Sequence, residues 1–206
     1  MRITSGIFRG RKLVSPNSEA THPMGDREKL ALFNSLGDSI KGAVVLDLFA
    51  GSGALGLEAL SRGAKDVDFV ENSRKAVLSI KSNISALEVS NSTNIFAQDV
   101  KVFLDYALTN PKKYDIILID PPYDKFEKFF NSNTGVAANK TNSGSVGQCT
   151  SYCASAIFNL SELLSPEGKI VLSHPGLVPP ANLFSGLKLI SSRKYARANI
   201  SIYERA

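Results

Sequence analysis

A glycine-rich segment is the first part of the sequence whose residue types and spacing suit chemistry. It follows an apolar run, residues 44–46, and has the pattern Gly-x-Gly-x-x-Gly at Gly51, Gly53 and Gly56. Glycines at the first two positions allow a tight turn that brings a ligand against bare backbone N–H groups at the start of a helix. We therefore expect a cofactor at this turn. The candidate contacts are Asp47, Phe49, Gly51, Ser52 and Gly53.

Two acidic residues follow the next two apolar runs. Glu71 comes twenty residues after Gly51, where its carboxylate can accept hydrogen bonds from both hydroxyls of a ribose. Asp99 has two equally favoured interpretations: it accepts a hydrogen bond from an adenine amino group, or it caps the helix that begins at Val100. Asn72 and Val100 adjoin these acids and complete the predicted cofactor site.

The charge of Asp47 helps to separate two classes of cofactor. The glycine pattern also occurs in proteins that bind nicotinamide dinucleotides, but a carboxylate beside the turn would repel their doubly anionic pyrophosphate. S-adenosylmethionine carries a sulfonium and an ammonium group, which the same carboxylate attracts. The segment therefore favours S-adenosylmethionine over a dinucleotide, and a purely structural turn is the third alternative.

The most specific element is Asp120-Pro121-Pro122-Tyr123, which follows the apolar run 116–119. Two consecutive prolines cannot begin a helix with normal hydrogen bonding, so they hold the chain in an extended turn. The Asp120 carboxylate and the Pro121 carbonyl can then both accept hydrogens from one NH₂ group, while the Tyr123 ring can stack on a flipped base. Alone, the segment would be better explained as a rigid turn. Beside the glycine segment, it predicts catalytic residues that hold an amine.

The elements that position these residues alternate along the chain. Continuous apolar strands separated by helices predict an α/β fold, a parallel sheet covered on both faces. The two last β-type runs predict an antiparallel hairpin at the sheet edge. The expected strands are 43–48, 67–70, 94–97, 116–119, 169–173, 187–195 and 198–203, the expected helices are 53–62, 73–87, 100–108 and 151–164, and a turn is expected at 166–168.

A short basic arm precedes this alternating region. Residues 1–16 favour a small β-hairpin or flap, and four cations fall in the first fourteen residues without an acidic residue: Arg2, Arg9, Arg11 and Lys12. This charge suits RNA as well as it suits a solvated hairpin. Asp26 is expected to cap a helix that Gly37 ends. We expect residues 1–40 to form an RNA-facing unit, and residues 41–206 a catalytic domain with a flexible polar insertion near 131–150.

Composition limits the class of protein. The 206 residues, 43% of them hydrophobic, suffice for one domain with a full core. No apolar run has the length of a signal peptide or a membrane span, so we expect a cytoplasmic protein without a membrane partner. We also expect a monomer. Cys149 and Cys153, with only His22 and His174 as further ligands, make a zinc site hard to assemble, so we expect free thiols and no metal.

Taken together, these segments resemble the RsmD-type 16S ribosomal RNA (guanine-N2)-methyltransferases. The glycine segment is shared by class I methyltransferases, and Asp-Pro-Pro-Tyr by enzymes that methylate amino groups, so only the arm narrows the resemblance to this family. The resemblance covers nearly all of the chain. The matching segments are Ile3 to Leu13, Asp26-Arg27, Ala31 to Asn34, Asp47 to Gly53 with Gly56, Glu58 to Ala64 and Asp120 to Tyr123.

The resemblance implies a seven-stranded Rossmann-like class I methyltransferase fold with S-adenosylmethionine as methyl donor. It implies a guanine N2 of 16S ribosomal RNA, free or in the assembling small subunit, as acceptor, with Arg9, Arg11, Lys12 and Arg27 facing the RNA. The chain departs from the family pattern at His22, Lys29, Leu30 and Ala196. Two alternatives stay open: an adenine-N6 DNA methyltransferase, and a non-catalytic RNA-binding assembly protein with the same fold.

Overall fold

A computed structural model describes most of the chain. The described residues are 1–16, 24–110, 112–122, 159–174, 184, 186–195 and 199–206. Several predictions concern residues outside these ranges. They are the predictions for Tyr123, for the insertion 131–150, for Cys149 and Cys153, and for the departures at His22 and Ala196. Within the described residues, no helix is long and apolar enough to cross a membrane.

Four helices and seven strands form the described part of the molecule. The helices are α1 (Asp26–Leu36), α2 (Ala54–Ser61), α3 (Arg74–Leu87) and α4 (Val100–Thr109). The strands are β1 (Val44–Leu48), β2 (Asp66–Val70), β3 (Thr93–Phe96), β4 (Tyr114–Ile119), β5 (Leu164–His174), β6 (Leu187–Lys194) and β7 (Asn199–Arg205). Short 3₁₀ segments lie at Gly37–Ile40, Ser90–Ser92 and Asn159–Leu163.

The strands form one mixed sheet in the order β3-β2-β1-β4-β5-β7-β6. Neighbouring strands from β3 to β5 are parallel, whereas β7 is antiparallel to both β5 and β6. The predicted parallel sheet with a C-terminal antiparallel hairpin is therefore confirmed. The carboxyl ends of β1, β2, β4 and β5 meet at one edge, which we call the carboxyl edge.

Alternate side chains of the strands enter two apolar clusters, one on each face of the sheet. In β4, Ile116 and Leu118 enter the first cluster, and Ile117 and Ile119 enter the second. The first cluster is covered by α1, α2 and α3, and the second by α4 and by Phe184. Because both faces are buried, these strands are continuous apolar runs in the sequence.

Three local predictions were wrong in the described residues. Helix α1 has Gly25 as its N-cap, and Asp26 is its first helical residue. The end of the predicted helix 151–164 is the 3₁₀ segment Asn159–Leu163, and Leu164 already belongs to β5. The predicted turn 166–168 lies inside β5, where the register against β4 shifts between the pairs Tyr114–Leu164 and Ile116–Lys169. The extra residues of β5 form an irregularity, so the strand continues past the proline and glycine.

The arm packs on the first apolar cluster. Arg2 and Lys12 form an antiparallel bridge, and the Ile3 N–H donates to the Arg11 carbonyl at 3.0 Å. Ile3 and Leu13 are buried in the cluster that α1, α2 and α3 cover. The expected hairpin pairing is therefore present, although an isolated bridge takes the place of regular strands.

A buried carboxylate in α2 holds the arm. The Glu58 side chain is fully buried and accepts hydrogen bonds from the Thr4 N–H and hydroxyl, both at 2.7 Å, and from the Ser5 N–H at 3.0 Å. Its oxygens also lie 2.9 Å from Arg62 Nε and 3.3 Å from Lys29 Nζ. Lys29, in α1, is 1% exposed and donates to the Arg2 carbonyl at 2.6 Å. One carboxylate therefore joins the arm, α1 and α2.

The partners of Glu58 decide its ionisation. Burial alone would raise the pKa of this carboxyl, but the hydrogen bonds from Thr4 and Arg62 and the charge of Lys29 bring the pKa below its ordinary value. The ionised form is thus the one that the fold stabilises. As the pH falls below the ordinary carboxyl range and through the lowered pKa of Glu58, this contribution to stability is lost.

We expect Glu58→Gln to lower the free energy of unfolding by about 3 to 5 kcal/mol, because it leaves the Lys29 ammonium buried beside a neutral amide. Urea denaturation followed by circular dichroism measures the change. Glu167→Gln, at an exposed position, is the control and should change the value by less than about 0.5 kcal/mol. The double variant with Lys29→Met should recover part of the loss. Equal midpoints for wild type and Glu58→Gln would contradict this assignment.

Candidate active site

The register of the sheet brings four strand ends together. Leu48 pairs with both Val70 and Ile119, and Ile119 pairs with Leu172. The residues that follow these four in the chain therefore lie side by side at the carboxyl edge. They are Phe49, Glu71, Asp120 and Ser173.

The glycine segment turns sharply after β1. Gly51 and Gly53 have φ values of 57° and 77°, which glycine adopts at no steric cost. Phe49 has a φ of 63°, a left-handed conformation that costs a residue with a side chain on the order of 1 kcal/mol. The Ala50 N–H donates to the Val70 carbonyl at 3.0 Å, so the turn is tied to the end of β2. The strained Phe49 backbone lies where the predicted cofactor would bind.

Asp47 lies beneath this turn. It is 1% exposed, and its Oδ2 accepts a hydrogen bond from the Gly56 N–H at 2.9 Å. The close packing of α2 requires glycine there, since a Cβ on Gly56 would lie 2.3 Å from the Phe69 ring. Burial raises the pKa of Asp47 to about 8, the Gly56 hydrogen bond opposes the rise, and the charges of Asp120 and Glu71 add to it. Asp47 therefore holds α2, and at neutral pH its side chain is mostly protonated until a bound cation favours the carboxylate.

The Glu71 carboxylate accepts hydrogen bonds from two backbone N–H groups, one in the glycine turn and one at Ser73. Its Oε2 accepts from the Gly51 N–H at 2.8 Å, and its Oε1 accepts from the Ser73 N–H at 2.7 Å. The Gly53 N–H donates to the Ala50 carbonyl at 2.7 Å. The expectation of bare N–H groups at the turn is thus wrong for Gly51 and Gly53 in this structure. Each Glu71 oxygen keeps a lone pair, so the carboxylate can still accept from two ribose hydroxyls.

Asp99 is the N-cap of α4. Its Oδ1 accepts from the Lys101 N–H at 2.9 Å, and its Oδ2 accepts from the Asn72 amide at 3.2 Å. Of the two interpretations that the sequence left open, the capping interpretation is therefore observed. Asp99 and Asn72 are exposed, whereas Val100 is buried. The exposed carboxylate keeps lone pairs for a further donor, such as an adenine amino group.

Asp120 follows β4 and is half-buried, with Pro121 buried and Pro122 partly buried behind it. Burial raises the pKa of Asp120 to about 6, the Ser173 hydroxyl opposes the rise, and the charge of Glu28 adds to it. The influence of Glu28 indicates that the first turn of α1 lies near the carboxyl edge.

Sequence reasoning missed Ser173 and Glu28 as neighbours of Asp120. Ser173 ends an apolar strand without any motif, and only the register of β5 against β4 places it there. For Glu28 the sequence gives no corresponding signal, because its position depends on how α1 packs. Glu28 also accepts the Gly25 N–H at 2.7 Å and so helps to begin α1.

Three carboxylates share the carboxyl edge. Burial is the main cause of the raised pKa of Asp47, and charge repulsion from Asp120 and Glu71 adds to it, so both of these carboxylates lie near Asp47. A bound cation would relieve this repulsion, whereas a polyanion would increase it. The residues present therefore fit a cationic ligand with ribose hydroxyls, which is the chemistry of S-adenosylmethionine, better than they fit a pyrophosphate.

The predicted RNA-facing cations occupy two different places. Arg9, Arg11 and Lys12 are exposed on the arm, and Arg27 is exposed in the first turn of α1. Among the described residues, none of these four is in an ion pair. Arg2, by contrast, lies 3.0 Å from Asp26, so its charge is matched.

The turn of the arm lies beside the end of α2, away from the glycine turn. The Ile7 N–H, in the turn of the arm, donates at 2.8 Å to the carbonyl of Ser61, the last residue of α2. Helix α2 begins next to the glycine turn and rises about 1.5 Å per residue, so the turn of the arm lies about 12 Å from the glycine turn. The turn of the basic arm and the catalytic edge are therefore separate parts of one surface.

Comparison with solved structures identifies the fold. A hypothetical protein of Thermus thermophilus matches with a TM-score of 0.72 and 28% identity over 99% of both chains. The T. thermophilus 16S rRNA guanine-N2 methyltransferase RsmC, solved with AdoMet and guanosine, matches with a TM-score of 0.61 and 26% identity, covering 92% of this chain and 45% of that one. The fold and the site define a class I, S-adenosylmethionine-dependent methyltransferase.

Within that class, the chain belongs to the family described as Conserved hypothetical protein 95, whose model matches residues 1–140. The ribosomal RNA small subunit methyltransferase D of Haemophilus influenzae is 42% identical over 124 residues, 60% of this chain and 64% of that protein. The matches to such curated relatives span about 60 to 67% of their length. The RsmD-type resemblance is confirmed by these matches.

We expect Glu71→Ala to weaken binding of S-adenosylmethionine by about 1 to 3 kcal/mol, because it removes charge-assisted hydrogen bonds to the ribose. Isothermal titration calorimetry measures the affinity. Glu71→Gln, which keeps one carbonyl acceptor, should lose less. If Glu71→Ala binds the donor as wild type does, the carboxylate only holds the backbone of Gly51 and Ser73.

Proposed function

We propose that this protein transfers the methyl group of S-adenosylmethionine to the exocyclic N2 of a guanine in small-subunit ribosomal RNA. One observation carries the proposal: the Asp120-Pro121-Pro122 segment lies at the same edge as Asp47 and Glu71, so an amine site adjoins a cation site. The small-subunit methyltransferase relatives support RNA as substrate, and the RsmC structure with guanosine supports guanine as the base.

The donor site is assigned to residues of three strand ends. Glu71 accepts hydrogen bonds from the ribose, and Asp99 with Asn72 faces the adenine. Phe49, Ser52, Gly53 and Val100 complete the lining that the sequence predicts. Asp47 lies beneath the turn with a pKa of about 8, so a cationic donor favours its ionised form, and the carboxylate then stabilises the positive charge of the donor. The donor's sulfonium carries the electrophilic methyl group.

The acceptor site is assigned to Asp120 and the Pro121 carbonyl. The N2 lone pair of guanine is delocalised into the ring, so the amine is a poor nucleophile, and the site gains most by holding it in line. Two acceptors on one NH₂ group orient it and localise the lone pair. The amine becomes acidic once methylated, and its proton can leave to Asp120 or to water. Pairing hides N2, so the target base must be unpaired or flipped.

The RNA-facing surface is assigned to residues 1–40. Arg27 lies in the first turn of α1, near the catalytic edge, where it can contact a phosphate beside the target base. Arg9, Arg11 and Lys12 extend the basic surface along α2, so RNA bound at Asp120 would reach them by following the body beside this helix. The RNA that would bind this surface is 16S ribosomal RNA, free or in the assembling small subunit.

Methyl transfer from labelled S-adenosylmethionine tests the proposal. Small subunits, free 16S RNA and duplex DNA are offered in parallel, each lacking native modifications. Nucleoside mass spectrometry of the product should identify N2-methylguanosine from RNA alone. N6-methyladenosine or equal transfer to DNA would support the DNA methyltransferase alternative. Donor binding without transfer to any nucleic acid would support a non-catalytic assembly protein.

We expect Asp120→Ala to lower turnover by at least on the order of 10²-fold with donor affinity nearly unchanged, because the side chain contacts the reacting amine and not the donor. Single-turnover rates and calorimetry separate the two quantities. Asp120→Asn, which keeps one acceptor oxygen, should lie between wild type and Asp120→Ala. Near-normal turnover in Asp120→Ala would remove Asp120 from the mechanism.

The pH dependence of the rate should report the ionisation of Asp120. Its pKa of about 6 means that the carboxylate form, which accepts from the amine, increases as the pH rises through this value. We expect log(kcat/KM) to rise with a slope near one below pH about 6 and to level off above it. Asp120→Asn should show no such step. A rate that falls as the pH rises through 6 would mean that the protonated form is the active one.

Neutralising the arm should weaken RNA binding in a salt-dependent way. In the variant Arg9→Gln, Arg11→Gln, Lys12→Gln, we expect the slope of log affinity against log salt to flatten by about 0.7 to 0.9 for each phosphate that the arm no longer neutralises. Donor affinity should stay constant. Lys194→Gln, exposed on the edge strand β6, is the matched control. A folded triple variant with an unchanged slope would exclude the arm as an RNA contact.

A further inference from the structure

One buried amide joins the arm to the glycine turn. Asn83, in α3, is 2% exposed. Its Oδ1 accepts from the Val14 N–H at 2.7 Å, and its Nδ2 donates to the Val14 carbonyl and to the Ser52 carbonyl, both at 2.9 Å. The side chain has one acceptor oxygen and two donor hydrogens, and all of them are used. The arm and the turn are therefore held by the same group.

A second contact closes on the same serine. The Ser52 hydroxyl donates to Met1 Sδ at 3.3 Å, and the Leu13 N–H donates to the Met1 carbonyl at 3.1 Å. Both ends of the arm thus meet at Ser52. The residue before Ser52 is Gly51, whose N–H is bonded to Glu71.

These contacts form a continuous chain from the arm to the donor site. It runs from Val14 through Asn83 to Ser52, and from Gly51 to the Glu71 carboxylate. A donor that holds the glycine turn in place would keep the Ser52 carbonyl on Asn83. RNA that holds the arm in place would keep the two hydrogen bonds between Val14 and Asn83. A side chain whose hydrogen bonds depend on both ligands can couple the two binding sites.

We propose that Asn83 is a positioning residue that couples the arm to the glycine turn, so that RNA on the arm and donor at the turn stabilise each other's binding. This inference rests on the proposed function for the identity of the two ligands. Coupling is reciprocal: if RNA raises donor affinity by some factor, donor raises RNA affinity by the same factor. Asn83 contacts neither ligand and acts through Ser52 and Val14.

The first test uses wild-type protein without RNA. S-adenosylhomocysteine is added, and amide hydrogen exchange is followed residue by residue. The Val14 N–H, which donates to Asn83, should exchange at least about fivefold more slowly with the ligand bound, because its hydrogen bond to Asn83 opens less often. The Arg9 N–H, which donates to the Gly6 carbonyl in the arm turn, is the internal control and should stay unchanged. Unchanged exchange at Val14 would overturn the proposal.

The second test uses Asn83→Asp, which keeps the acceptor for the Val14 N–H but loses both donors. Ser82→Ala, exposed on the same helix, is the control. Both are first checked for folding by thermal unfolding. In wild type and Ser82→Ala, 16S RNA should raise the affinity for S-adenosylhomocysteine at least about fivefold, and in Asn83→Asp less than about twofold. If Asn83→Asp does not fold, the exchange test on wild type decides alone.

The outcomes separate this inference from the proposed function. If wild type methylates 16S RNA, but RNA still raises the affinity of Asn83→Asp for S-adenosylhomocysteine fivefold, the inference fails and the proposed function stands. The opposite result is that S-adenosylhomocysteine binds to the wild type and slows amide exchange at Val14, but the wild type methylates no RNA. The proposed function then fails. The link between arm and turn stands, with another ligand on the arm.

Discussion

The parallel register of β2, β1, β4 and β5 is the constraint on which the rest of the site depends. It places Phe49, Glu71, Asp120 and Ser173 in one row, although they lie far apart in the chain. Asp47, Glu71 and Asp120 then share one edge, where burial raises the pKa of Asp47 and the charges of Asp120 and Glu71 add to the rise. The same arrangement that costs stability in the free protein favours a cationic ligand. The site is thus prepared by the sheet before any ligand arrives.

The Glu58 carboxylate, by contrast, stabilises the fold and has a lowered pKa. Glu58 is fully buried, but its oxygens receive hydrogen bonds or charges from Thr4, Ser5, Lys29 and Arg62, so its pKa is lowered. It fixes the middle of the arm to α2 and α1, while Asn83 fixes the end of the arm to the glycine turn. Together they make a basic arm, too short to bury a core of its own, part of the catalytic body.

Much of the fold followed from sequence because its signals are local. Apolar runs separated by helical patterns gave the strands β1 to β4 within two residues at each end, and the glycine pattern gave the turn before α2. The irregular course of β5 past Pro166 was missed because strand pairing overrode a local turn signal. Asn83 and Glu58 were missed as anchors because their partners lie 69 and 54 residues away. The sequence pattern predicts which residues are buried more easily than which buried polar groups meet.

If one edge of the sheet holds both the donor and the guanine amine, a crystal structure of the protein with S-adenosylhomocysteine and guanosine will show both ligands there. Ribose hydroxyl oxygens should lie within about 3 Å of the Glu71 carboxylate, and guanine N2 should lie within about 3 Å of both Asp120 and the Pro121 carbonyl. A nucleoside bound at this edge with N2 turned away from Asp120, or an adenosyl group bound elsewhere, would contradict this arrangement.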